Sequence, residues 1–138
     1  MKLSTRSRYG TRLLIDIASN SNGSPVPVSE ISRRIGVSVK YLEQLIRPLK
    51  KASYLESVRG PKGGHMLAKR PEDITLGEVV RLLEGGISLT ECIENPSVCE
   101  LSGDCNVRRV WEKATDSMLG ILDTITVADL RHEDCQVK

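Results

Sequence analysis

Apolar residues recur every three to four positions in five stretches of this chain, and two short strand-like runs lie between the third and fourth. Leu13, Leu14, Ile17 and Ala18 predict a helix over residues 5–19, ended by the polar run 19–23. Pro25 and Pro27 keep the next stretch extended. Ile31 and Ile35 then predict a short helix over 28–35, followed by Gly36, which suits a left-handed turn. Ser38 caps a longer helix reaching about Lys51. Its buried stripe is Leu42, Leu45, Ile46 and Leu49, and Lys40, Tyr41, Glu43, Gln44, Arg47 and Lys51 fall on the other side. Pro48 lies inside this helix and is expected to end or kink it.

Residues 54–58 and 65–68 read as two strands around the basic turn Arg59-Gly60-Pro61-Lys62-Gly63-Gly64. Thr75 and Glu78 form a capping box for a helix to about Glu84, with Leu76, Val79, Val80 and Leu83 inward and Gly85-Gly86 as its stop. Residues 87–105 look irregular. A long helix over 107–124 carries Val107, Val110, Trp111, Ala114, Met118, Ile121 and Leu122 on one face, and Thr126 with Asp129 caps one further turn. The expected fold is mostly α with a small two-stranded wing: a winged helix-turn-helix plus a long C-terminal helix. It divides into a winged helix-turn-helix domain over 1–84, a loop over 85–106, and the long helix with its tail over 107–138.

Charge sharpens this picture. Residues 1–70 hold fourteen Lys and Arg against four Asp and Glu, whereas residues 71–138 hold six against fourteen. One half therefore suits a polyanion and the other does not. The short helix, glycine turn, longer helix and basic wing coincide with the positive half, so double-stranded DNA is the expected partner. Ser38 opens the second helix, whose N-terminal turn enters a major groove. Lys40 and Arg47 suit phosphate or guanine, Gln44 suits adenine or phosphate, and Tyr41 suits the backbone. Glu43 repels phosphate and is useful only where it accepts from a cytosine amino group. Arg59 and Lys62 sit on a loop sized for a minor groove. Aromatic residues make up only 3% and Phe is absent, which argues against a base-stacking RNA binder.

No run approaches the roughly 20 apolar residues that span a bilayer, and residues 1–6 form no apolar signal, so a cytoplasmic location without membrane contact is expected. In that reducing setting four cysteines point to a metal or redox site rather than disulfides. Cys92, Cys99 and Cys105, spaced C-x6-C-x5-C among acidic residues, are candidates to converge on one iron–sulfur centre. Zinc is less favoured, because structural zinc sites show paired C-x2-C knuckles. A thiol switch is a further option. Candidates for a fourth ligand are Cys135, His132 and Asp104. No nucleophile–base pair, phosphate loop or zinc-protease motif points to an enzyme.

These residues also carry a resemblance. Met1-Lys2-Leu3-Ser4-Thr5-Arg6-Ser7-Arg8-Tyr9, Tyr41-Leu42-Glu43-Gln44-Leu45, Val58-Arg59-Gly60-Pro61-Lys62-Gly63-Gly64 and Leu122-Asp123-Thr124-Ile125-Thr126 resemble the winged-helix regulator family that includes IscR, NsrR and CymR. The resemblance implies that the long helix is the dimerisation helix, and that a homodimer paired through it meets a near-palindromic operator. It implies a [2Fe–2S] cluster at Cys92, Cys99 and Cys105, and cluster supply feeding back, through repression, on genes for cluster assembly. It also implies that Tyr41, Glu43, Gln44 and Arg59 face DNA, with Glu43 discriminating between site types. Three positions depart from the pattern. Arg108 stands where IscR has its fourth-ligand His, Arg8 stands where NsrR has an acid, and the first cysteine spacing is one residue longer than in IscR. CymR lacks the cysteine cluster. The competing readings are a nitric-oxide or thiol-redox sensing regulator of the same fold, and an iron–sulfur electron carrier.

Overall fold

The computed structural model describes residues 2–131. The fourth-ligand candidates His132 and Cys135 lie outside the described residues. In chain order the elements are α1 (Thr5–Asn20), α2 (Val28–Ile35), α3 (Val39–Lys51), β1 (Leu55–Val58), β2 (Gly64–Leu67), α4 (Leu76–Glu84), α5 (Glu91–Glu94) and α6 (Asn106–Thr124), with short 3-10 turns between them. The mostly helical fold with a two-stranded wing is as the sequence predicts.

Local chemistry explains the boundaries. Ser38 accepts from the Tyr41 N–H and starts α3, and both halves of the Thr75–Glu78 capping box are formed. Gly36 takes φ 78° between α2 and α3, a left-handed geometry that costs other residues. Pro48 does not end α3, which runs on to Lys51. The ring forfeits one backbone hydrogen bond, while buried Leu45, Ile46 and Leu49 hold the last turns to the core. The core unites α1, α2, α3 and α4 through Leu13, Leu14, Ile17, Ile31, Leu42, Leu49 and Val79. Leu76, expected to point inward, is only half-buried.

Two non-local bridges complete the body. Val26 and His65 exchange backbone hydrogen bonds of 2.9 Å each way, so the Pro25–Pro27 segment flanks β2 and extends the wing sheet. Gly64 permits this approach, since a Cβ there would lie 2.4 Å from the Val26 carbonyl. Farther on, Thr75 bridges Thr126, which seats Val127 (1% exposed) in the main core. Residues 125–131 are thereby packed against the winged-helix body.

Two ion-bearing contacts fix the helices. Asp16, 4% exposed, takes a bidentate pair of 2.8 Å bonds from Arg34 Nε and Nη2, which locks α2 onto α1. Glu84, at the end of α4, accepts from the Ser7 hydroxyl and from the Ser4 N–H and hydroxyl at the start of α1. The Ser7 hydroxyl, then the Ser4 hydroxyl and N–H, hold the Glu84 carboxyl below its ordinary value of 4.5. A depressed carboxyl stabilises the fold above its unfolded pKa and stops doing so as pH falls through the folded one. Glu84→Gln is therefore expected to lower stability at pH 7, and the gap to wild type should close as pH falls below about 4.5. Urea unfolding at pH 7 and pH 3.5 measures this; a gap that widens in acid refutes it.

Candidate nucleic-acid interface and cysteine loop

Both α3 and the wing turn present polar side chains to solvent. Ser38, Lys40, Glu43, Gln44 and Arg47 are all exposed along α3. Arg59 and Lys62 are exposed on the turn between β1 and β2, closed by a 2.9 Å bond from the Gly63 N–H to the Gly60 carbonyl. Seven of the eight residues expected to face DNA are thus solvent-exposed. Tyr41 differs. It is half-buried, its ring meets Tyr9 edge-on at 6.0 Å, and its hydroxyl is enclosed with no hydrogen-bond partner. Tyr41 therefore braces the start of α3 against α1.

His65, in the second strand of the wing, is a junction. Its ring nitrogen lies 3.0 Å from the Ser57 hydroxyl, its backbone holds Val26, and it sits in the fields of Lys50 and Glu43 from α3. Burial, then Lys50, push its pKa below the ordinary range, against the opposing pull of Glu43. These contacts tie the two wing strands to each other and to the Pro25–Pro27 segment.

The cysteines lie on the loop between α4 and α6. Cys92, on α5, is half-buried with its Sγ 3.2 Å from the Thr90 hydroxyl. Cys99 is exposed after the turn Pro96–Val98. Cys105 is the N-cap of α6, and its Sγ accepts from the Arg108 N–H at 3.4 Å. The Arg108 side chain donates from Nε to the Cys92 carbonyl at 3.0 Å, which brings the two ends of the loop together. Cys99 is not drawn in. The Asp104 side chain is 99% exposed, 3.7 Å from Arg109. Among the described residues no three His, Cys, Asp or Glu side chains stand close enough together to hold a metal ion. The expected convergence of three thiolates is thus not formed in this arrangement. Arg108 joins Cys92 and Cys105 through a carbonyl and a backbone N–H, which aligns their chain segments without aiming their sulfurs at a common point. The donor set still fits an iron–sulfur group in kind, with three thiols in one lobe and one of them facing the open N–H groups of a long helix.

Along α6 the apolar stripe faces outward. Val107, Val110, Trp111 and Ile121 are 55, 58, 41 and 64% exposed, and Thr115 is the one buried residue. No helix among the described residues is long and apolar enough to cross a membrane.

A helix pair closed by a glycine turn, an exposed polar second helix and a basic two-stranded wing define a winged helix-turn-helix, the architecture of a DNA-binding transcription regulator. The chain belongs to the Rrf2 family, described as iron-dependent transcriptional regulators, whose profile matches residues 3–133. The family consists of regulators, not enzymes. The chain is 47% identical over 133 residues to the protein rrf2 of Nitratidesulfovibrio vulgaris (strain Hildenborough), spanning 96% of this chain and 89% of that one. Among solved structures it is similar to CymR (YrzC), the global cysteine regulator of B. subtilis, with TM-score 0.79 and 35% identity over 94% of this chain and 95% of that one. It is also similar to T. potens IscR, with TM-score 0.75 and 38% identity over 94% and 85%.

Proposed function

We propose that this regulator is a cytoplasmic homodimer that represses genes of iron–sulfur cluster assembly and is controlled by an iron–sulfur cluster of its own. The observation that carries the reading is the position of Cys105. It is at once a candidate ligand and the cap of α6, the helix whose exposed apolar stripe suits a second copy. What binds at Cys105 therefore acts on the first turn of the element that sets the distance between two wings.

In this reading Cys92, Cys99 and Cys105 hold a [2Fe–2S] cluster, with Cys135, His132 or Asp104 as the fourth ligand. When bound, the cluster supplies a redox-sensitive crosslink across the loop. On DNA, the start of α3 lies in the major groove with Ser38, Lys40, Glu43, Gln44 and Arg47 toward bases and phosphates, while Arg59 and Lys62 enter the minor groove. Two such units meet a near-palindromic operator.

The test is iron and sulfide analysis of anaerobically purified protein, then titration of a palindromic duplex with loaded and stripped forms. The expected result is stoichiometric iron and different site preferences for the two forms. Affinity should fall steeply with salt, with a log–log slope of about −5 if six phosphates are neutralised. Equal affinities of both forms for every site would sink the proposal. The exposed Cys99 favours a second reading, a thiol switch, which an iron-free protein with oxidant-dependent DNA binding would select.

A further inference from the structure

The cysteine loop is fastened to α6 by two side chains of that helix. Arg108 Nε donates to the Cys92 carbonyl at 3.0 Å, and the Thr115 hydroxyl accepts from the Leu89 N–H at 3.3 Å. Positions 108 and 115 are seven apart and share one face. That face lies roughly a quarter-turn from the outward apolar stripe, at 100° per residue. The two bonds therefore strap residues 89–92 along α6 without using the stripe. Arg108 is further held by Glu112, one turn on, through a 3.0 Å ion pair, and its side chain is only 20% exposed. Its own N–H meets the Cys105 sulfur. A single residue thus touches the backbone of one cysteine and the side chain of another, thirteen positions apart in the chain.

We propose that Arg108 is a positioning residue that preassembles the Cys92 and Cys105 ends of the loop, so that the donor segments are ordered before any metal arrives. The inference rests on the reading of this loop as a ligand site, but the ordering itself belongs to the metal-free protein. A guanidinium suits the task better than an ammonium. Its Nε–H and Nη–H groups point in different directions from one rigid plane, so it serves the Cys92 carbonyl and Glu112 together. A lysine has the charge but not the fork.

The experiment uses the full chain, stripped of metal under anaerobic conditions, as wild type, Arg108→Met, Arg108→Lys and the control Lys113→Gln, which removes an exposed cation from the same helix. Alkylation of Cys92 by iodoacetamide is followed by mass spectrometry, together with amide exchange across residues 87–105. Both Arg108 variants are expected to alkylate Cys92 about fivefold faster and to lose protection over 89–94, the effect of releasing one charge-assisted hydrogen bond. Lys113→Gln should change these rates less than twofold. Exchange in α1 and α3 should match wild type in every variant, which separates local release from general unfolding. On anaerobic addition of ferric iron and sulfide, Arg108→Met is expected to develop visible absorbance several-fold more slowly. Unchanged alkylation and exchange in folded Arg108→Met and Arg108→Lys overturn the proposal. So do loosening spread evenly over the whole chain, or full rescue by lysine. If wild type takes up no iron at all, the cluster reading fails, and the metal-free rates alone decide the role of Arg108.

Discussion

The Val110→Glu, Ile121→Glu double variant is expected to be monomeric and to bind a two-half-site duplex about a thousandfold more weakly than wild type. Both side chains are more than half exposed on α6, in line with Val107 and Trp111. Such a stripe is far more apolar than a solvated helix face needs, and it matches the seam through which a helix packs on its equal. Placing two carboxylates in that seam leaves each without a partner in a desolvated contact, a cost of several kcal/mol. The DNA face is untouched, so affinity for a single half-site should stay within about twofold of wild type. What disappears is the effective concentration, in the millimolar range, that one bound half gives the other. Sedimentation and duplex titrations with one and two half-sites measure both effects. A double variant that remains dimeric removes α6 as the interface.

The second large effect is expected at Asp16. Asp16→Asn should cost about 3 kcal/mol, as breaking a buried ion pair from one side does, and lower the thermal midpoint by about 10 °C. The carboxylate is buried and receives both Nε and Nη2 of Arg34. An amide keeps one acceptor and turns an NH2 toward the remaining guanidinium donor. Arg34 is itself only 25% exposed, so water replaces the lost bond poorly. The Asp16→Leu, Arg34→Met pair, which removes both charges, should recover much of the loss. Because the bond joins α1 to α2, the single variant should also loosen the presentation of α3. Urea unfolding checks the magnitude; a loss below about 0.5 kcal/mol would show that the pair contributes nothing.

What the sequence made legible was local. The Thr75–Glu78 box, the Ser38 cap and the Gly36 turn are each specified within a few residues, and each formed as read. Strand positions came within one residue, because the turn at 59–64 fixes the register. The illegible parts are pairings between distant segments. Nothing near Asp16 announces Arg34, eighteen residues on, and nothing near Val26 announces His65. Periodicity places Tyr41 on the polar side of α3, and only the packing of α1 reveals that Tyr9 covers it. In the cysteine loop the sequence supplies the donors but not their arrangement. Arg108 stands out in the sequence as a departure from a ligand pattern. Its long-range partner is a backbone carbonyl, a group that every residue carries and that no pattern marks.

The seating of Val127 has a mechanical consequence. Below α6 the chain is sewn into the winged body by Val127 and by the Thr75–Thr126 bridge, and Arg81 clamps Asp123 in the last turn with bonds of 2.6 and 2.8 Å. The 19-residue helix is therefore fastened at its C-terminal end, with Cys105 at the other end, the geometry of a lever. Its length is about 28 Å, so a tilt of only about 5° swings the tip by roughly 2.5 Å. In the proposed homodimer, two such helices crossed against each other would turn a small displacement at either tip into a change of span between two wings, with no rearrangement inside either winged body.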